Sequence, residues 1–314
     1  ATFSYIGIAI NLGFCTMLRS TEQVKLPVLS NLISVFVNII LNAALIFGLW
    51  GFPELGIRGA AIATVVAAFV NPIFILVVSL RKNYILRCSF KKMFTFPEGF
   101  VRKYFTISLP VFFNEAMWSL GVAGNNMVFG RMGETNIAAL TIARTVENIA
   151  FVLVIGMCNA CAVMIGKSIG RGDHKLAQTY ANRFTLIVPI LCIGIGSMII
   201  LLRAPILALF SLSPQATSTA MWLLVIYGME MPLRNIPYVS IIGVFRPGGD
   251  TKKGVIYDIA FLWCVSLPLT ILLGLVLKKP FLLVYLVMLL SEDIPKAALC
   301  LRYTLSGKWI HSVT

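Results

Sequence analysis

The sequence predicts an all-α polytopic membrane protein, and three observations carry that prediction. Of its 314 residues, 59% are hydrophobic and only 12% are charged, about half the charged fraction of a soluble globular chain. So few polar groups cannot cover a water-facing surface, which makes lipid the solvent for much of the chain. The apolar residues also fall into nine consecutive runs of about 20, the length that crosses a bilayer as a helix. None of these runs alternates over ten residues as a barrel strand does.

The spans are read, in order, at 1–18, 27–50, 57–80, 105–129, 136–166, 179–202, 217–245, 254–277 and 280–301. The first opens on Ala1-Thr-Phe-Ser-Tyr-Ile, with no Met and no basic leader, and reads as the interior of a helix rather than a signal peptide. Lys and Arg mark the connections. One alternate set holds Arg19 and Lys25; Arg81, Lys82, Arg87, Lys91, Lys92, Arg102 and Lys103; Lys167, Arg171 and Lys175; Arg246, Lys252 and Lys253; and Arg302 with Lys308. The other holds Arg58, Arg131, Arg203, Lys278 and Lys279. Seventeen against five places the first set in the cytoplasm. One span missed or invented would scramble this asymmetry, so it supports the count of nine.

The same distribution explains the net charge of +14. A nucleic-acid binder gathers its basic residues on one face of a soluble domain, whereas these sit in short gaps between apolar runs. Most of the seven cysteines lie inside apolar runs, among them Cys15, Cys158, Cys161, Cys192 and Cys264. Cys158 and Cys161 have the spacing of a metal or redox pair. Without His or Cys partners nearby, they read as small packing residues.

The longest connection, 81–104, contains Pro97 and Gly99 and divides three helices from six. A repeat crosses it. Leu18-Arg19-Ser-Thr-Glu-Gln23-Val-Lys25 is similar to Phe245-Arg246-Pro-Gly-Gly-Asp250-Thr-Lys252 at an offset of 227 residues, each copy following one apolar span and opening another. The first copy has one helix before it and the second has four in its half, so the repeat implies three further helices ahead of residue 1 and a protein of six plus six. Copies on one membrane side imply parallel repeats about an axis along the membrane normal.

Several stretches now carry a family likeness: Gly56-Ile-Arg-Gly59-Ala60-Ala61-Ile-Ala63-Thr64; Leu109-Pro110 leading to Asn114-Glu115; Ile165-Gly166 through Gly170-Arg171-Gly172-Asp173-His174-Lys175-Leu176-Ala177; Arg246-Pro-Gly248-Gly249-Asp250-Thr251; and the terminal Gly307-Lys308-Trp309. In this order and spacing, the chain resembles the multidrug and toxic compound extrusion (MATE) family over its whole length, mapped to the fourth through twelfth of that family's twelve helices. The resemblance implies a two-lobe transporter. Residues 1–80 would be the C-terminal half of the N-lobe, 81–104 a basic cytoplasmic linker, 105–301 the six-helix C-lobe and 302–314 a cytoplasmic tail. It further implies alternating-access export of organic, cationic or amphipathic compounds, driven by inward H⁺ or Na⁺, at the plasma membrane. The implied partners are a small-molecule substrate and the lipid bilayer, with no nucleic acid, no cofactor beyond the transported ion, and a monomer when complete.

Charges inside a bilayer are costly and point to function or internal pairing. The candidates are Glu115, Arg144, Glu147, Glu230, Arg234, Asp258 and Lys296. Arg144 and Glu147 are three apart and Glu230 and Arg234 four apart, so each couple can pair on its own helix or line a cavity. Glu115 has Val111, Phe112, Trp118 and Ser119 at three and four residues. With no local cation, its carboxyl is placed to exchange a proton or to ligate Na⁺. Ser119 and Asn126 share its face, since eleven residues make almost three turns, and they add oxygen ligands. The opposing reading pairs Glu115 with a cation from another helix, such as Arg144 or Arg234. The family implicates an acidic residue near this point of its seventh helix in coupling. Its second acidic position, in the tenth helix, falls on Asn235, which can ligate an ion but carries no proton. Trp118 is a further cavity candidate.

Other residues read as structural. Asp258 suits a helix N-terminus, and Asp173 and Asp250 suit caps. Lys308-Trp309 suits an interfacial anchor. Met221, Trp222, Tyr227, Met229 and Met231 suit either an adaptable cavity lining or packing. The nearest alternative function is a lipid-linked oligosaccharide flippase of the same superfamily, which commonly presents several cations to its cavity. A membrane enzyme is disfavoured: His174 and His311 lie in a loop and the tail, and no acid–base or metal motif accompanies them.

Overall fold

A computed structural model describes residues 2–21, 23–82 and 99–311. Most of the expected linker, 83–98, lies outside the described residues, as does 312–314 of the tail. Among the described residues the chain forms nine helical rods, and the only extended pairing is an isolated bridge between Gly249 and Ile310. The rods are α1 (Thr2–Ser20), α2 (Lys25–Phe47), α3 (Ile57–Arg81), α4 (Phe100–Arg131), α5 (Glu134–Gly170), α6 (His174–Ala208), α7 (Pro214–Tyr238, prolonged by a π-helical stretch over Val239–Phe245), α8 (Thr251–Val276) and α9 (Phe281–Leu305).

Each expected span falls on one rod, and most rods outrun their spans. The span at 105–129 is helix from Phe100 to Arg131, and that at 179–202 is helix from His174 to Ala208. Hydropathy marks only the hydrocarbon crossing, whereas backbone hydrogen bonding continues into the headgroup layer. By length and composition alone α2, α3, α5, α6 and α8 are apolar enough to cross a membrane. Helix starts are chemically marked. Asp173 accepts from Leu176 N at 2.9 Å, Ser213 from Ala216 N at 3.3 Å, and Asp250 from Lys253 N at 3.3 Å, each satisfying an otherwise orphaned donor.

The chain divides into two compact units, Ala1–Glu98 and Gly99–Thr314. In the first, α3 packs on both α1 and α2. Part of its buried polar surface is paired internally: Ser30 hydroxyl bonds Asn71, and Asn71 Nδ2 donates to Asn31 Oδ1 at 2.6 Å. The turn after α1 has the same local bond as its repeat. Gln23 N donates to Leu18 O at 2.8 Å and Asp250 N to Phe245 O at 3.1 Å, with Leu18 and Phe245 both fully buried.

In the second unit polarity is reversed relative to a water-soluble protein. Leu201 is 79% and Met229 73% exposed, whereas Glu147, Glu230, Asn235, Asp293 and Lys296 are buried. Apolar outside and polar inside is the arrangement lipid selects, and the chain is a multi-pass membrane protein. Helices α6 and α7 approach closely at two glycines. A Cβ on Gly196 would lie 2.2 Å from the Gly228 carbonyl oxygen, which backbone cannot vacate without parting the helices. Gly196→Ala is therefore expected to cost about 1–3 kcal/mol, read as lowered thermal stability of the detergent-solubilised protein.

One expectation is corrected here. Trp309 is not an interfacial anchor but fully buried, its Nε1 donating to Gln178 Oε1 at 3.0 Å. The chain reverses after α9 at Gly307 (φ +69°) and folds Trp309 back onto protein rather than out to headgroups.

Candidate functional site

Within the six-helix unit, α4, α5, α7, α8 and α9 contribute to the wall of a cavity of about 550 Å³. Its wall carries five carboxylates and four cations, arranged in three groups.

The first centres on Lys296 of α9, whose side chain is 8% exposed. Its Nζ lies 2.8 Å from Glu292 Oε1, 3.3 Å from Asp258 Oδ1 and 3.9 Å from Asp293 Oδ1. Asp258 also accepts from Asn114 Nδ2 of α4 at 3.2 Å. The expected helix-terminal role of Asp258 is thus corrected. It sits seven residues, two turns, into α8, and Asp250 holds the terminal position. Glu292 and Asp293 are missing from the sequence candidates, although their i+4 and i+3 spacing to Lys296 is the signal that finds them.

The second group surrounds Arg234 of α7, which lies in the field of Glu230, Glu147 and Asp293. Neither same-helix couple expected from spacing, Arg144 with Glu147 or Glu230 with Arg234, forms a salt bridge within 4.0 Å among the described residues. Cross-helix partners win. Tyr285 of α9 donates to Glu147 Oε1 at 3.0 Å. Both carboxyl oxygens of Glu230 are buried with no hydrogen-bond donor among the described residues. Arg144, Glu147 and Arg234 line the cavity, and Glu230 lies behind its wall.

The third group is Glu115 with Arg246. Arg246 Nη2 donates to Glu115 Oε1 at 2.6 Å, so the cation from another helix is neither Arg144 nor Arg234 but the residue that follows the π-helical stretch of α7. The Glu115 side chain stays 55% exposed. Its helix presents Asn114, Trp118, Val122 and Asn125 to the cavity, a stripe one residue out of register with Glu115, Ser119 and Asn126. One residue is a rotation of about 100° on a helix. The long Glu115 side chain still reaches the wall from the edge of that stripe, whereas Ser119 and Asn126 do not line the cavity. Asn235 does, and it is 1% exposed. Its Nδ2 donates to Met231 O at 2.7 Å, and among the described residues its Oδ1 has no donor, nor do Oδ1 of Asn114 and Asn125. Of Met221, Trp222, Tyr227, Met229 and Met231, only Tyr227 lines the cavity, joined there by Tyr238, while Trp222 and Met229 are exposed.

The cavity wall thus carries a half-exposed carboxylate paired with one arginine, together with the buried amide oxygens of Asn114, Asn125 and Asn235.

The MatE family model matches residues 110–272, just over half of the chain, including Glu115 and the α7–α8 turn. A probable multidrug resistance protein NorM of Thermotoga maritima is 26% identical over 308 residues, covering 97% of this chain and 65% of that protein. An uncharacterized transporter YisQ of Bacillus subtilis is 27% identical over 270 residues, covering 85% and 58%. The chain therefore spans less than two thirds of either relative. The crystal structure of a mutant of the Vibrio cholerae MATE transporter VcmN superposes with a TM-score of 0.81 at 17% identity, over 98% of this chain and 67% of that one. With its apolar rods, its cavity and the family match over residues 110–272, this chain belongs to the MatE family.

Proposed function

We propose that the protein is a secondary active exporter of organic, cationic or amphipathic compounds, coupled to H⁺ or Na⁺ by alternating access. The observation that carries this reading is the Glu115–Arg246 pair on the cavity wall. A half-exposed carboxylate on the cavity wall, neutralised by a single arginine, is a site where an incoming cation competes with an internal one. A cation that wins Glu115 releases Arg246, which gives ion binding a differential effect on two conformations. The name of the Thermotoga relative, a probable multidrug resistance protein, supports a drug-like substrate. The seventeen-to-five distribution of Lys and Arg supports cytoplasmic placement of residues 81–104 and of the C-terminus.

A second reading has one observation in its favour. Arg144, Arg234, Arg246 and Lys296 all reach the cavity, which suits the phosphate of a lipid-linked oligosaccharide in a flippase. The five carboxylates beside them favour the exporter.

Efflux of a fluorescent organic cation from proteoliposomes of the full-length protein tests the choice, with H⁺ and Na⁺ gradients imposed separately. One gradient is expected to accelerate efflux, and Glu115→Gln to lose about tenfold of that acceleration while remaining folded. Efflux indifferent to both gradients refutes coupled export and favours the flippase. A Glu115→Gln variant that matches wild type removes Glu115 from the site.

A further inference from the structure

Two motifs of the sequence, Arg246-Pro-Gly248-Gly249-Asp250-Thr251 and Gly307-Lys308-Trp309, pack against each other, and of their residues Arg246 alone lines the cavity. After α9 the chain turns back and Trp309 lies on Gly248, fully buried. The fit admits no side chain at 248, where a Cβ would sit 2.4 Å from the indole Cε3 and 2.7 Å from the Trp309 carbonyl oxygen. The indole N–H is held between Gln178 Oε1 at 3.0 Å and Thr304 O at 3.1 Å. Gln178 is itself fixed, its Nε2 donating to Thr304 O at 2.9 Å. One residue on, Ile310 pairs with Gly249 in an antiparallel bridge, and His311 N donates to Gly248 O at 2.9 Å.

The Asp250 carboxylate ties the same turn to α9. It caps α8, accepts the Tyr303 hydroxyl, and lies 3.3 Å from His311 Nε2. The Tyr303 ring meets Phe245 edge-on at 5.2 Å and carries Lys253 Nζ 4.2 Å above its face. Residues 248–250 are thus fastened by backbone, indole and carboxylate at once. Arg246, two residues before Gly248, leaves the same turn and reaches Glu115 on α4 at 2.6 Å.

We infer that Ser306–His311 is a positioning strap for the ion site: by docking Trp309 on Gly248 it fixes the root of Arg246, and so sets how strongly Arg246 competes with an incoming cation for Glu115. The inference rests on the reading of Glu115 as the coupling carboxylate. With the strap docked, Arg246 is held in reach of Glu115 and little conformational freedom is lost in making the pair. With the strap loosened, that pre-organisation goes, the arginine becomes a weaker competitor, and a small cation takes Glu115 at lower concentration. Trp309 and Gln178 touch neither ion nor cavity, so they act only through Arg246.

The test measures the H⁺ or Na⁺ concentration giving half-maximal gradient-driven efflux by the full-length protein. Gln178→Leu removes one of the indole's two acceptors, and Trp309→Phe removes its donor while keeping an aromatic ring. Each is expected to lower that concentration about fivefold, corresponding to the ~1 kcal/mol of a partly exposed ion pair, with the maximal rate near wild type. Arg246→Gln alone is expected to lower it at least as far. In the Arg246→Gln background neither strap substitution shifts it further, because effects that run through one residue are not additive. Amide hydrogen exchange at residues 246–253 supplies a readout independent of transport and is expected to quicken in both strap variants.

Strap substitutions that quicken exchange but leave the half-maximal concentration unchanged overturn the inference. So do shifts of equal size with and without Arg246. A fall in maximal rate alone, without a shift in half-saturation, assigns the strap a purely structural role and overturns it too. A Glu115→Gln variant that couples normally fails the underlying reading instead, and that variant leaves the strap intact, so the two failures are distinguishable.

Discussion

Lys296→Met is expected to lower stability by about 3–5 kcal/mol, the cost of removing one partner from a buried ionic group. Among the described residues Lys296 is the one ammonium within 4.0 Å of Glu292, Asp258 and Asp293, and its side chain is 8% exposed. Methionine has a similar length and fills the same space, so little of the loss would come from a packing void. It would come from carboxylates left facing one another across α8 and α9 with no cation among them. Lys296→Arg keeps the charge and should retain most of the stability. Adding Glu292→Gln to Lys296→Met should recover part of the loss, since one of the stranded carboxylates is then gone. Thermal unfolding of the detergent-solubilised protein reads all three. A Lys296→Met protein within about 0.5 kcal/mol of wild type, the range of a neutral surface change, would mean that the three carboxylates do not act with Lys296 as a unit.

The helices were legible because two independent signals mark them, apolar length and the alternation of Lys and Arg between connections. Each of the nine spans maps to a rod, and the errors are confined to ends, as where α4 begins at Phe100, ahead of the span at 105–129. Asp173 and Asp250 were legible as caps because the chemistry of a helix start is local. Cavity residues were legible in part, and for one reason: a charge within an apolar run is rare enough to stand out. That criterion named Glu115, Arg144, Glu147, Arg234, Asp258 and Lys296, which line the cavity, and Glu230, which does not.

Sequence spacing reveals neighbours on the same helix and little else, which accounts for what it missed. The partner of Glu115 lies 131 positions away, in a turn counted as a connection. The stripe through Ser119 and Asn126 has the right period but is rotated by one residue from the face that Asn114 and Asn125 present. Arg144 with Glu147 and Glu230 with Arg234 have pairing distance in sequence, yet Tyr285 of α9 takes Glu147. Asp258 looks helix-terminal by position in its apolar run, but the helix starts earlier, at Thr251. Trp309 follows the last span like an anchor, and only the glycine it packs on, Gly248, explains why it turns inward. For Glu115, Glu147 and Trp309 the deciding contact joins segments far apart in sequence, and a hydropathy pattern carries no record of it.

The second large effect concerns the ion and the substrate together. If a cation at Glu115 and an organic substrate in the cavity favour different conformations, each must weaken the other's binding by the same factor. A radiolabelled organic cation bound to the full-length protein in detergent is therefore expected to lose at least about fivefold in affinity as H⁺ or Na⁺ is raised to saturation, the lower end of usual coupling energies. Arg246→Gln should lower the cation concentration at which this happens, because the internal competitor for Glu115 is gone. Glu115→Gln should abolish the antagonism while leaving the substrate bound.

That equilibrium titration, wild type beside Glu115→Gln, is the most direct test of the central claim that Glu115 is where ion and substrate are set against each other. Antagonism by one cation in wild type that disappears in the variant is the predicted result. Substrate affinity indifferent to both cations, or the same antagonism in Glu115→Gln as in wild type, would contradict it.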